Sequence, residues 1–359
     1  MTEVIRVGGG KGYDVAVGRG LLDDAGQFLC AVGGARKALV VSDSNVWPLY
    51  GKKAEKLFRD AGMKTSAFVF EAGEKSKTLE TFGRILDAAA AEKLTRSDVI
   101  VALGGGVTGD LAGFASAVYL RGVRCVQIPT TLLAAVDSSV GGKTGVDLPA
   151  GKNLAGAFHR PSLVLCDTST LDTLPDAQYR SGCAEVIKYG MIGSEDFLRK
   201  LIARPVSEAP EEVISFCVRM KKDVVEKDEF DVGCRMLLNF GHTFGHAAEL
   251  LSGYSISHGE GVAAGRATVT RAAVKFGICD GASLELLLSA LEKYNLPRVI
   301  PFRVPEMRSA VLSDKKNIGG ELKLIVPEKA GKCAIRGIDP ASVGKWISAG
   351  RTSGWNRQK

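Results

Sequence analysis

Apolar runs and amphipathic stretches alternate along the first half of the chain. Buried strands are predicted at the β-branched runs RKALVVSD (36–43), TSAFVFEAGEKS (65–76, continuing into a loop), SDVIVALGGG (97–106), VRCVQIPTT (123–131) and PSLVLCDTS (161–169). Helical spacing predicts helices at GKKAEKLFRDAG (51–62) and TLETFGRILDAAAAEKL (78–94), the second with a Thr cap. Strands that alternate with helices predict an α/β fold with a parallel sheet and helices on both faces.

The pattern becomes helical after about residue 172. Helices are predicted for DAQYRSGCAEVIKYGMIG, PEEVISFCVRMKKDVVEKDE and FGHTFGHAAELL, and a late hairpin is predicted for ELKLIVPEKAGKCAIRG. A chain of 359 residues is long enough for two domains. We therefore predict an α/β domain at 1–172 and a mainly α-helical domain at 173–359.

Composition and charge narrow the class of protein. The apolar fraction of 45% and the charged fraction of 24% are typical of a globular protein. The net charge of +7 is spread along the chain, which fits either a solvated surface or attraction to a small anionic substrate. No basic stripe with interleaved aromatic residues occurs in the sequence, so we expect no nucleic-acid partner.

Cysteine usage and the N-terminus indicate a location. The eight cysteines are scattered without a CxxC pair, which favours reduced thiols over a disulfide framework. The N-terminus lacks the basic start and apolar core of a signal peptide, and no apolar run is long enough to cross a membrane. We therefore expect a cytoplasmic protein without a membrane partner.

Three of the four histidines lie between Asn239 and Gly265. His242 and His246 are four residues apart and would share one face of a helix, and His258 follows a turn that contains Gly and Ser. A catalytic zinc commonly takes three protein ligands, so the cluster could supply two or three of them, with a carboxylate as a further candidate. Packing and turn-capping roles are the alternative, and the spacing alone does not choose the ligands.

A glycine-rich loop follows a predicted strand in VIVALGGGVTGDLAGFAS. Gly104, Gly106 and Gly109 match the GxGxxG fingerprint, in which a pyrophosphate approaches the backbone at a helix N-terminus. The acidic ribose ligand expected about twenty residues later is missing, and Asp43, at the end of an earlier strand, is a better candidate. The loop predicts dinucleotide binding in a variant layout, with an ordinary strand-to-helix turn as the alternative.

The segment DSSVGGKT (137–144) nearly matches the phosphate-binding motif GxxxxGK[ST]. Asp137 replaces the first glycine and would repel phosphate, and a helical pattern precedes it where the motif needs a strand, so no NTPase is predicted. Lys143, Lys152 and Asn153 could still hold a phosphate or a carboxylate, although surface lysines are the simpler interpretation.

Between about residues 36 and 330 the chain resembles the 3-dehydroquinate synthase family, sugar-phosphate cyclases of the shikimate pathway. The resemblance depends on GGGVTGDLAGFAS, RG, IPTTLLAAVDSSVGGKTGVD, GKNLAGAFH, TLP, AEVIKYG, DE followed by RMLLNFGHTFGHAAE, SHGEGVAAG and DKKNIGG. It implies that domain 1–172 binds NAD, that domain 173–359 binds a metal and the substrate, and that the protein is a homodimer.

The family converts 3-deoxy-arabino-heptulosonate 7-phosphate into 3-dehydroquinate and phosphate, a step of chorismate and aromatic amino-acid biosynthesis. The resemblance implies that NAD oxidises a secondary hydroxyl with the help of a Lewis-acidic zinc or cobalt. Phosphate elimination, return of the hydride, ring opening and an internal aldol closure follow, so this lyase would leave no net NADH. The substrate's own phosphate could accept the proton, since no general base stands out.

The resemblance also assigns roles to individual residues. It implies Glu185, His242 and His258 as metal ligands, so that His246 does not chelate with His242 but lies near the substrate phosphate. Arg121 is implied to reach this phosphate across a dimer interface. The other residues implied at the substrate are Asp137, Lys143, Asn153, Lys188, Lys221, Arg235, Asn239 and either Lys315 or Lys316. Those implied at NAD are Asp43, Asn45, Glu74, Lys77, Gly105, Gly106, Val107, Asp110, Thr130, Thr131, Lys143, Lys152 and Thr173.

Three other functions stay open from the sequence. A sibling cyclase that acts on sedoheptulose 7-phosphate or glucose 6-phosphate would share the scaffold, but Lys221, Arg235 and Asn239 favour a substrate with a carboxylate. A metal-dependent polyol dehydrogenase would accumulate NADH and would not need the cluster of cationic residues. A non-catalytic nucleotide-binding regulator would not need intact metal ligands.

Overall fold

The computed structural model describes residues 2–8, 12–313 and 322–351, which form two compact units. The first unit contains the chain up to Tyr179 together with Pro210–Phe230, and the second contains Arg180–Ala209 and the chain from Asp231 onward. The sequence predicted a single boundary between residues 172 and 173. The structure divides the chain a few residues later and also assigns a helix beyond that point to the first unit.

The first unit is built on a mostly parallel sheet. Its strands are β1 (Glu3–Val7), β2 (Tyr13–Gly18), β3 (Lys37–Asp43), β4 (Lys64–Phe70), β5 (Val99–Gly104), β6 (Arg124–Pro129), β7 (Lys143–Leu148), β8 (Gly151–Phe158) and β9 (Leu163–Asp167). Across the sheet the order is β1-β2-β9-β6-β5-β3-β4, with β1 antiparallel to β2 and the other neighbours parallel. Strands β7 and β8 form a separate antiparallel hairpin.

The helices, in chain order, are α1 (Trp47–Asp60), α2 (Leu79–Ala91), α3 (Gly106–Val118), α4 (Asp176–Gly193), α5 (Glu195–Ala203), α6 (Pro210–Lys227), α7 (His242–Leu251), α8 (His258–Lys275), α9 (Gly281–Lys293), α10 (Val304–Ser313) and α11 (Val343–Ala349). The late hairpin that the sequence predicted is formed by β10 (Leu322–Lys329) and β11 (Lys332–Ile338) in the second unit. None of the described helices combines the length and the apolar character that crossing a lipid bilayer requires.

Both faces of the sheet in the first unit are packed. Successive residues of a strand point to opposite faces, and on β3 Val40 belongs to one core with Phe58 of α1. Its neighbour Leu39 belongs to a second core with Ile85 of α2 and Leu111 of α3. The predicted parallel sheet with helices on both faces is therefore confirmed.

Helix α6 belongs to the first unit, and two of its charged side chains contact the N-terminal part of that unit. Arg219 of α6 pairs with Glu3 of β1, and Glu226 accepts a hydrogen bond of 2.5 Å from the backbone N–H of Gly8. Both partners lie more than two hundred residues away in the sequence. A boundary drawn along the sequence could not place α6 with these strands.

Candidate active site

Glycines bring the two histidine-bearing helices of the second unit, α7 and α8, into backbone contact. A Cβ atom at Gly265 would lie 2.2 Å from the carbonyl oxygen of Gly241, and one at Gly245 would lie 2.8 Å from the amide nitrogen of Val262. A larger residue at either position would therefore force the helices apart. Gly241 also has a φ of 84°, a left-handed conformation that favours glycine, where the chain turns into α7.

This helix crossing gathers three imidazole rings. The ring centroid of His242 lies 5.3 Å from that of His246 and 5.2 Å from that of His258, and the last two are 5.8 Å apart. His258 is the first residue of α8, where Ser257 and Glu260 form a capping box. The glutamate of the HGE motif therefore fixes the start of the helix that carries His258.

Helix α4 adds a carboxylate to the three imidazoles. One turn before Glu185, Ser181 Oγ accepts a hydrogen bond of 3.1 Å from the N–H of Gly259, and a Cβ atom at Gly259 would lie 2.4 Å from Ser181 Cα. This approach sets Glu185 Oε1 3.7 Å from Nε2 of His258. Ligand atoms of Glu185, His242 and His258 all lie within 4.8 Å of one another.

These three side chains fit a divalent metal. Zinc binds imidazole nitrogen and carboxylate oxygen at about 2.0–2.2 Å, so the ligand atoms of a tetrahedral site are about 3.4 Å apart. The 3.7 Å between Glu185 and His258 is close to that spacing. Three protein donors also leave a fourth position open, as in catalytic zinc sites. The structure thus brings together the three residues that the resemblance implied.

A second group of donor atoms overlaps the first. Ligand atoms of His246, Glu249 and His258 also lie within 4.8 Å of one another. Glu249 is buried, and the sequence reasoning missed it. Its spacing in the sequence could have indicated this position. Glu249 comes seven residues after His242 and three after His246, which places all three on one face of a helix.

Two buried cations flank the carboxylate of Glu185. Arg266 is fully buried and donates to Glu185 Oε1 at 2.8 Å, to the carbonyl of Phe240 at 2.9 Å, and to the carbonyl of Ala184. Lys188 Nζ lies 2.5 Å from Glu185 Oε2. Burial alone would raise the pKa of Glu185, but Arg266 and Lys188 outweigh it and hold that pKa well below its ordinary range. The carboxylate is therefore ionised.

Arg266 was also missed by the sequence reasoning. It is the one charged residue in the run GVAAGRATVT, which is otherwise made of small, apolar and hydroxyl residues. An arginine in such a run on a buried helix needs hydrogen-bond acceptors inside the protein. This requirement could have identified Arg266 from the sequence.

The histidines of the cluster differ in their affinity for protons. Burial, together with the neighbouring His258 and His246, holds the pKa of His242 well below its ordinary value, so this ring is neutral at neutral pH. Burial would also lower the pKa of His258, but the hydrogen bond to Glu249 and the charges of Glu249 and Glu185 outweigh it and raise that pKa. Because metals bind neutral imidazole, protons compete with a metal more strongly at His258 than at His242.

In the first unit, the residues expected to bind nucleotide lie at or just after the carboxyl ends of adjacent strands, except Lys143 and Lys152 of the β7–β8 hairpin. They are Asp43 and Asn45 after β3, Glu74 and Lys77 after β4, Gly105, Gly106, Val107 and Asp110 after β5, Thr130 and Thr131 after β6, and Thr173 after β9. Strand order reverses between β3 and β5, because β4 lies on one side and β6 and β9 lie on the other. Open α/β sheets bind their ligands at such a reversal.

The glycine-rich loop opens helix α3, as the sequence predicted. Gly105 is the N-cap residue, and Thr108 Oγ1 donates to Asp43 Oδ2 at 3.3 Å, which ties the loop to β3. A Cβ atom at Gly109 would lie 2.8 Å from Gln127 Oε1, so this glycine lets the helix pack closely on β6. Among the described residues, Thr130 Oγ1 is buried without a hydrogen-bond partner. Such an orphaned hydroxyl fits a bound nucleotide that supplies the partner.

Cationic and acidic side chains pair beside these strand ends. Lys77 Nζ lies 2.5 Å from Asp110 Oδ2 and 2.5 Å from Asn153 Oδ1. Burial would lower the pKa of Lys77, but the charges of Asp110 and Glu74 outweigh it and raise that pKa. Lys152 Nζ lies 3.6 Å from Glu74 Oε1. The structure thus brings together five residues that the sequence reasoning had placed at NAD or at the substrate.

Lys221 of α6, which is buried, and Asp137, which is half-buried, form a second ion pair in the first unit. The ammonium also donates to the backbone carbonyl of Asp137 at 2.6 Å. Asp137 lies in a short π-helical turn, Ala134–Ser138, a distortion that is frequent at functional sites. Lys143 begins strand β7, whereas a phosphate-binding loop would lead into a helix, so the geometry agrees with the rejection of an NTPase.

The remaining candidates lie in turns or outside the described residues. Arg235 is buried and Asn239 ends the same 3-10 turn, three residues before His242. Arg121 is exposed at the end of another 3-10 turn. The candidate pair Lys315 and Lys316 lies outside the residues that the structure describes.

Family models match two adjacent parts of the chain. The model described as 3-dehydroquinate synthase N-terminal matches residues 67–181, and the one described as 3-dehydroquinate synthase C-terminal matches residues 182–317. The chain is 43% identical over 330 residues to 3-dehydroquinate synthase of Enterococcus faecalis, which covers 90% of this chain and 92% of that protein. It is 40% identical over 357 residues to 3-dehydroquinate synthase of Paracoccus denitrificans, which covers 96% and 97%.

Two solved cyclases have similar structures. The 2-deoxy-scyllo-inosose synthase complexed with carbaglucose-6-phosphate, NAD+ and Co2+ has a TM-score of 0.84 at 26% identity, over 97% of this chain and 99% of that chain. The 2-epi-5-epi-valiolone synthase from Streptomyces hygroscopicus with NAD+ and Zn2+ bound has a TM-score of 0.85 at 26% identity, over 94% and 96%. An iron-containing alcohol dehydrogenase, with a TM-score of 0.66 at 12% identity, shares the fold alone.

Proposed function

The chain belongs to the 3-dehydroquinate synthase family, and from this premise we propose which of its residues carry the family's reaction. The activity is the conversion of 3-deoxy-arabino-heptulosonate 7-phosphate into 3-dehydroquinate and phosphate, in aromatic amino-acid biosynthesis. Its cofactors are NAD and a divalent metal, zinc or cobalt. We assign NAD to the first unit and the metal to the second.

The grouping of Glu185, His242 and His258 within 4.8 Å is the observation that carries this proposal. We assign these three residues to the metal. When bound, the metal supplies Lewis acidity and NAD supplies a reversible hydride acceptor. The chain's own contribution is to keep Glu185 ionised through Arg266 and Lys188 and to keep His242 neutral, which are the forms that bind a cation.

Charges around these donors favour an anionic substrate. Arg266 and Lys188 both pair with Glu185, Glu249 pairs with His258, and Arg235 is a further buried cation of the second unit. A bound divalent metal would add positive charge beside Arg266 and Lys188, and this charge would attract a substrate that carries a phosphate and a carboxylate. The residues of the second unit that we assign to the substrate are Lys188, Arg235, Asn239 and His246.

For the first unit, we propose that anionic ligands exchange partners with protein carboxylates. Lys221 is held by Asp137, and a substrate oxygen could take the place of that carboxylate without leaving the ammonium unpaired. The substrate residues that we assign here are Arg121, Asp137, Lys143, Asn153 and Lys221. Those assigned to NAD are the strand-end residues given above, with Lys143 and Lys152, and Thr130 Oγ1 is a hydroxyl whose partner NAD would supply.

Phosphate release from 3-deoxy-arabino-heptulosonate 7-phosphate, with NAD in catalytic amount, tests the proposed chemistry. We expect release that a metal chelator abolishes, that added zinc or cobalt restores, and that leaves no net NADH. Sedoheptulose 7-phosphate and glucose 6-phosphate serve as control substrates, which should give little release because they lack the carboxylate. Accumulation of NADH would contradict the cyclase chemistry, and release from a control substrate alone would identify a sibling cyclase.

We also propose that the protein is a homodimer in which Arg121 completes the partner's site. Leu120, Arg121 and Gly122 have φ of 50°, 65° and 121°, so two residues that are not glycine adopt left-handed conformations in succession. Left-handed residues of this kind carry strain and cluster where function needs a particular side-chain direction. Here the strained turn carries an exposed arginine three residues after the end of helix α3.

Mixed dimers test the role of Arg121. Arg121→Ala and Lys143→Ala should each be inactive alone, whereas a mixed dimer has one site with both defects and one with neither. An equal mixture should therefore recover about a quarter of wild-type activity. Arg124→Ala, in the same segment, is the control and should be active by itself, without mixing with a second variant. If the mixture of inactive variants recovers nothing, Arg121 acts within its own chain.

We further propose that the protein acts in the cytoplasm. The scatter of its eight cysteines, without the pairing typical of secreted disulfide frameworks, supports this location. Fractionation of cells into cytoplasm and envelope, followed by detection of the protein, tests it directly.

A further inference from the structure

The carboxylate of Glu249 is buried against the histidine that begins helix α8. Glu249 Oε1 lies 3.0 Å from Nδ1 of His258, and the side chain of Glu249 is only 3% exposed. On the other side of the ring, Nε2 of His258 lies 3.7 Å from Oε1 of Glu185. The imidazole is therefore placed between a carboxylate outside the proposed donor set and a carboxylate within it.

The contact between Glu249 and His258 determines which ring nitrogen of His258 carries a hydrogen. A carboxylate in its ionised form accepts hydrogen bonds and donates none, so beside an ionised Glu249 it is Nδ1 of His258 that carries the hydrogen. The neutral ring then has its lone pair on Nε2, the nitrogen that faces Glu185. We propose that Glu249 is a positioning residue that fixes His258 in the Nδ1–H tautomer and so presents Nε2 to the metal. This inference rests on the proposed donor set of Glu185, His242 and His258.

The backbone holds Glu249 firmly in this position. A Cβ atom at Gly261 would lie 3.2 Å from Glu249 Cγ and 3.4 Å from Glu249 Oε1, so the carboxylate packs directly on the first turn of α8. The carbonyl of Glu249 accepts hydrogen bonds of 2.8 Å from both Tyr254 N–H and Ser252 Oγ, which close the end of α7. The side chain thus has little freedom to leave His258.

An alternative role for Glu249 is that of a metal ligand, with His246 and His258 as the other donors. The contact with His258 argues against it, because Glu249 Oε1 approaches Nδ1 at hydrogen-bond distance. A nitrogen that donates this hydrogen has no lone pair left for a metal. Hydrogen bonds of this kind, from a metal-binding histidine to an outer carboxylate, orient the ring and raise its basicity.

Tautomers can be measured in the metal-free protein. Nitrogen-15 spectra of the imidazole rings distinguish Nδ1–H from Nε2–H, and only four histidines contribute to them. The signals of His258 are identified by their loss in His258→Gln, and the spectra are recorded as the pH is raised until the ring signals no longer change. We expect the Nδ1–H tautomer in the wild type, its retention in Glu249→Gln, whose amide oxygen still accepts, and its loss in Glu249→Ala. An unchanged His258 pattern in a folded Glu249→Ala would overturn the inference.

Metal affinity, measured by competition with a chromophoric chelator for Zn2+ or Co2+, gives the second readout. Glu249→Ala should weaken binding by about 10–100-fold, the usual cost of losing an outer-shell partner, and Glu249→Gln should weaken it less. His246→Ala is the matched control and should keep the wild-type affinity, because His246 is outside the proposed donor set. An affinity unchanged in both Glu249 variants would also contradict the inference.

The two experiments separate the failure of the inference from that of the proposed function. If His246→Ala loses the metal while Glu185→Ala retains it, the metal is held by the alternative donors, and the proposed donor set and this inference are both wrong. If the wild type binds no metal, the proposed function fails, while the spectra of the metal-free protein still decide whether Glu249 fixes the tautomer of His258.

Discussion

Buried charges are arranged differently in the two units. In the first unit each buried lysine has a carboxylate partner, as Lys221 has Asp137. In the second unit Glu185 lies between two cations, Arg266 and Lys188. The buried lysines described in the first unit are thus paired one to one with carboxylates, whereas in the second unit one carboxylate is shared by two cations. Anionic ligands would exchange partners with carboxylates in the first unit, whereas in the second they would be attracted by the cations that flank Glu185.

Removal of a metal donor should have the largest effect and tests whether the second unit depends on a cation. In His258→Ala we expect metal binding to be lost and turnover to fall by at least about three orders of magnitude, because several kcal/mol of Lewis-acid stabilisation are absent. Metal content after dialysis and phosphate release measure the two effects. His159→Ala, which removes the one histidine outside the cluster, should keep its metal. Full metal content in His258→Ala would contradict the assignment of donors.

The cations around Glu185 can be tested through stability. Arg266→Met leaves Glu185 Oε1 and the carbonyls of Phe240 and Ala184 without their buried donor. We expect the free energy of unfolding of the metal-free protein to fall by about 3–5 kcal/mol, as when one partner of a buried ion pair is removed. Urea denaturation measures it. The control is Arg271→Met on the same helix, whose guanidinium donates to the carbonyl of Arg298 near the surface, with an expected change below about 1 kcal/mol. Equal losses in both variants would refute a special role for Arg266.

The paired charges of the first unit should respond differently. Lys221→Met removes the ammonium from Asp137 and should lower the free energy of unfolding by about 2 kcal/mol, a typical value for a hydrogen bond to a charged group. The double variant Lys221→Met with Asp137→Asn should recover more than half of this loss, because no carboxylate is then left unpaired. Urea denaturation again provides the values, with Lys227→Met, exposed on the same helix, as control. No recovery in the double variant would show that the pair is not balanced one to one.

Periodicity predicted most of the fold of the first unit. The apolar run at 36–43 became β3 (Lys37–Asp43), and Thr78 caps α2 by accepting a hydrogen bond from the N–H of Thr81. Both predictions depend on local spacing, which the sequence displays directly. The place of α6 could not be predicted in this way, because the contacts of Arg219 and Glu226 are made with β1 and the residue that follows it. Nothing in residues 1–35 had indicated that they form two strands of the main sheet.

Residues of the candidate site could be predicted where a motif identified them. They could not be predicted where only the packing of helices brings side chains together. His242 and His258 stand out because the chain has four histidines, and Glu185 followed from the resemblance. Glu249 ends the motif RMLLNFGHTFGHAAE and Arg266 directly follows SHGEGVAAG, but neither motif assigned them a role, which depends on His258 and Glu185 lying within 3.0 Å of them. The close crossing of α7 and α8, which glycines permit, brings Glu249 to His258, and Arg266 of α8 reaches Glu185 of α4.

The smallest expected change in the free energy of unfolding concerns His159, the histidine of the first unit. Burial lowers the pKa of His159, although the bond of 2.9 Å between Nε2 and the carbonyl of Val123 partly opposes this. The unfolded chain, with a histidine pKa of about 6.5, therefore binds a proton more readily than the folded protein, so the free energy of unfolding falls as pH decreases below that value. His159→Gln removes this contribution, and its stability relative to the wild type should improve by less than about 1 kcal/mol between pH 7 and pH 5. Urea denaturation of both metal-free proteins at each pH isolates the effect, because the three clustered histidines are common to both. A difference that does not change with pH would mean that His159 titrates in the folded protein as it does in the unfolded chain.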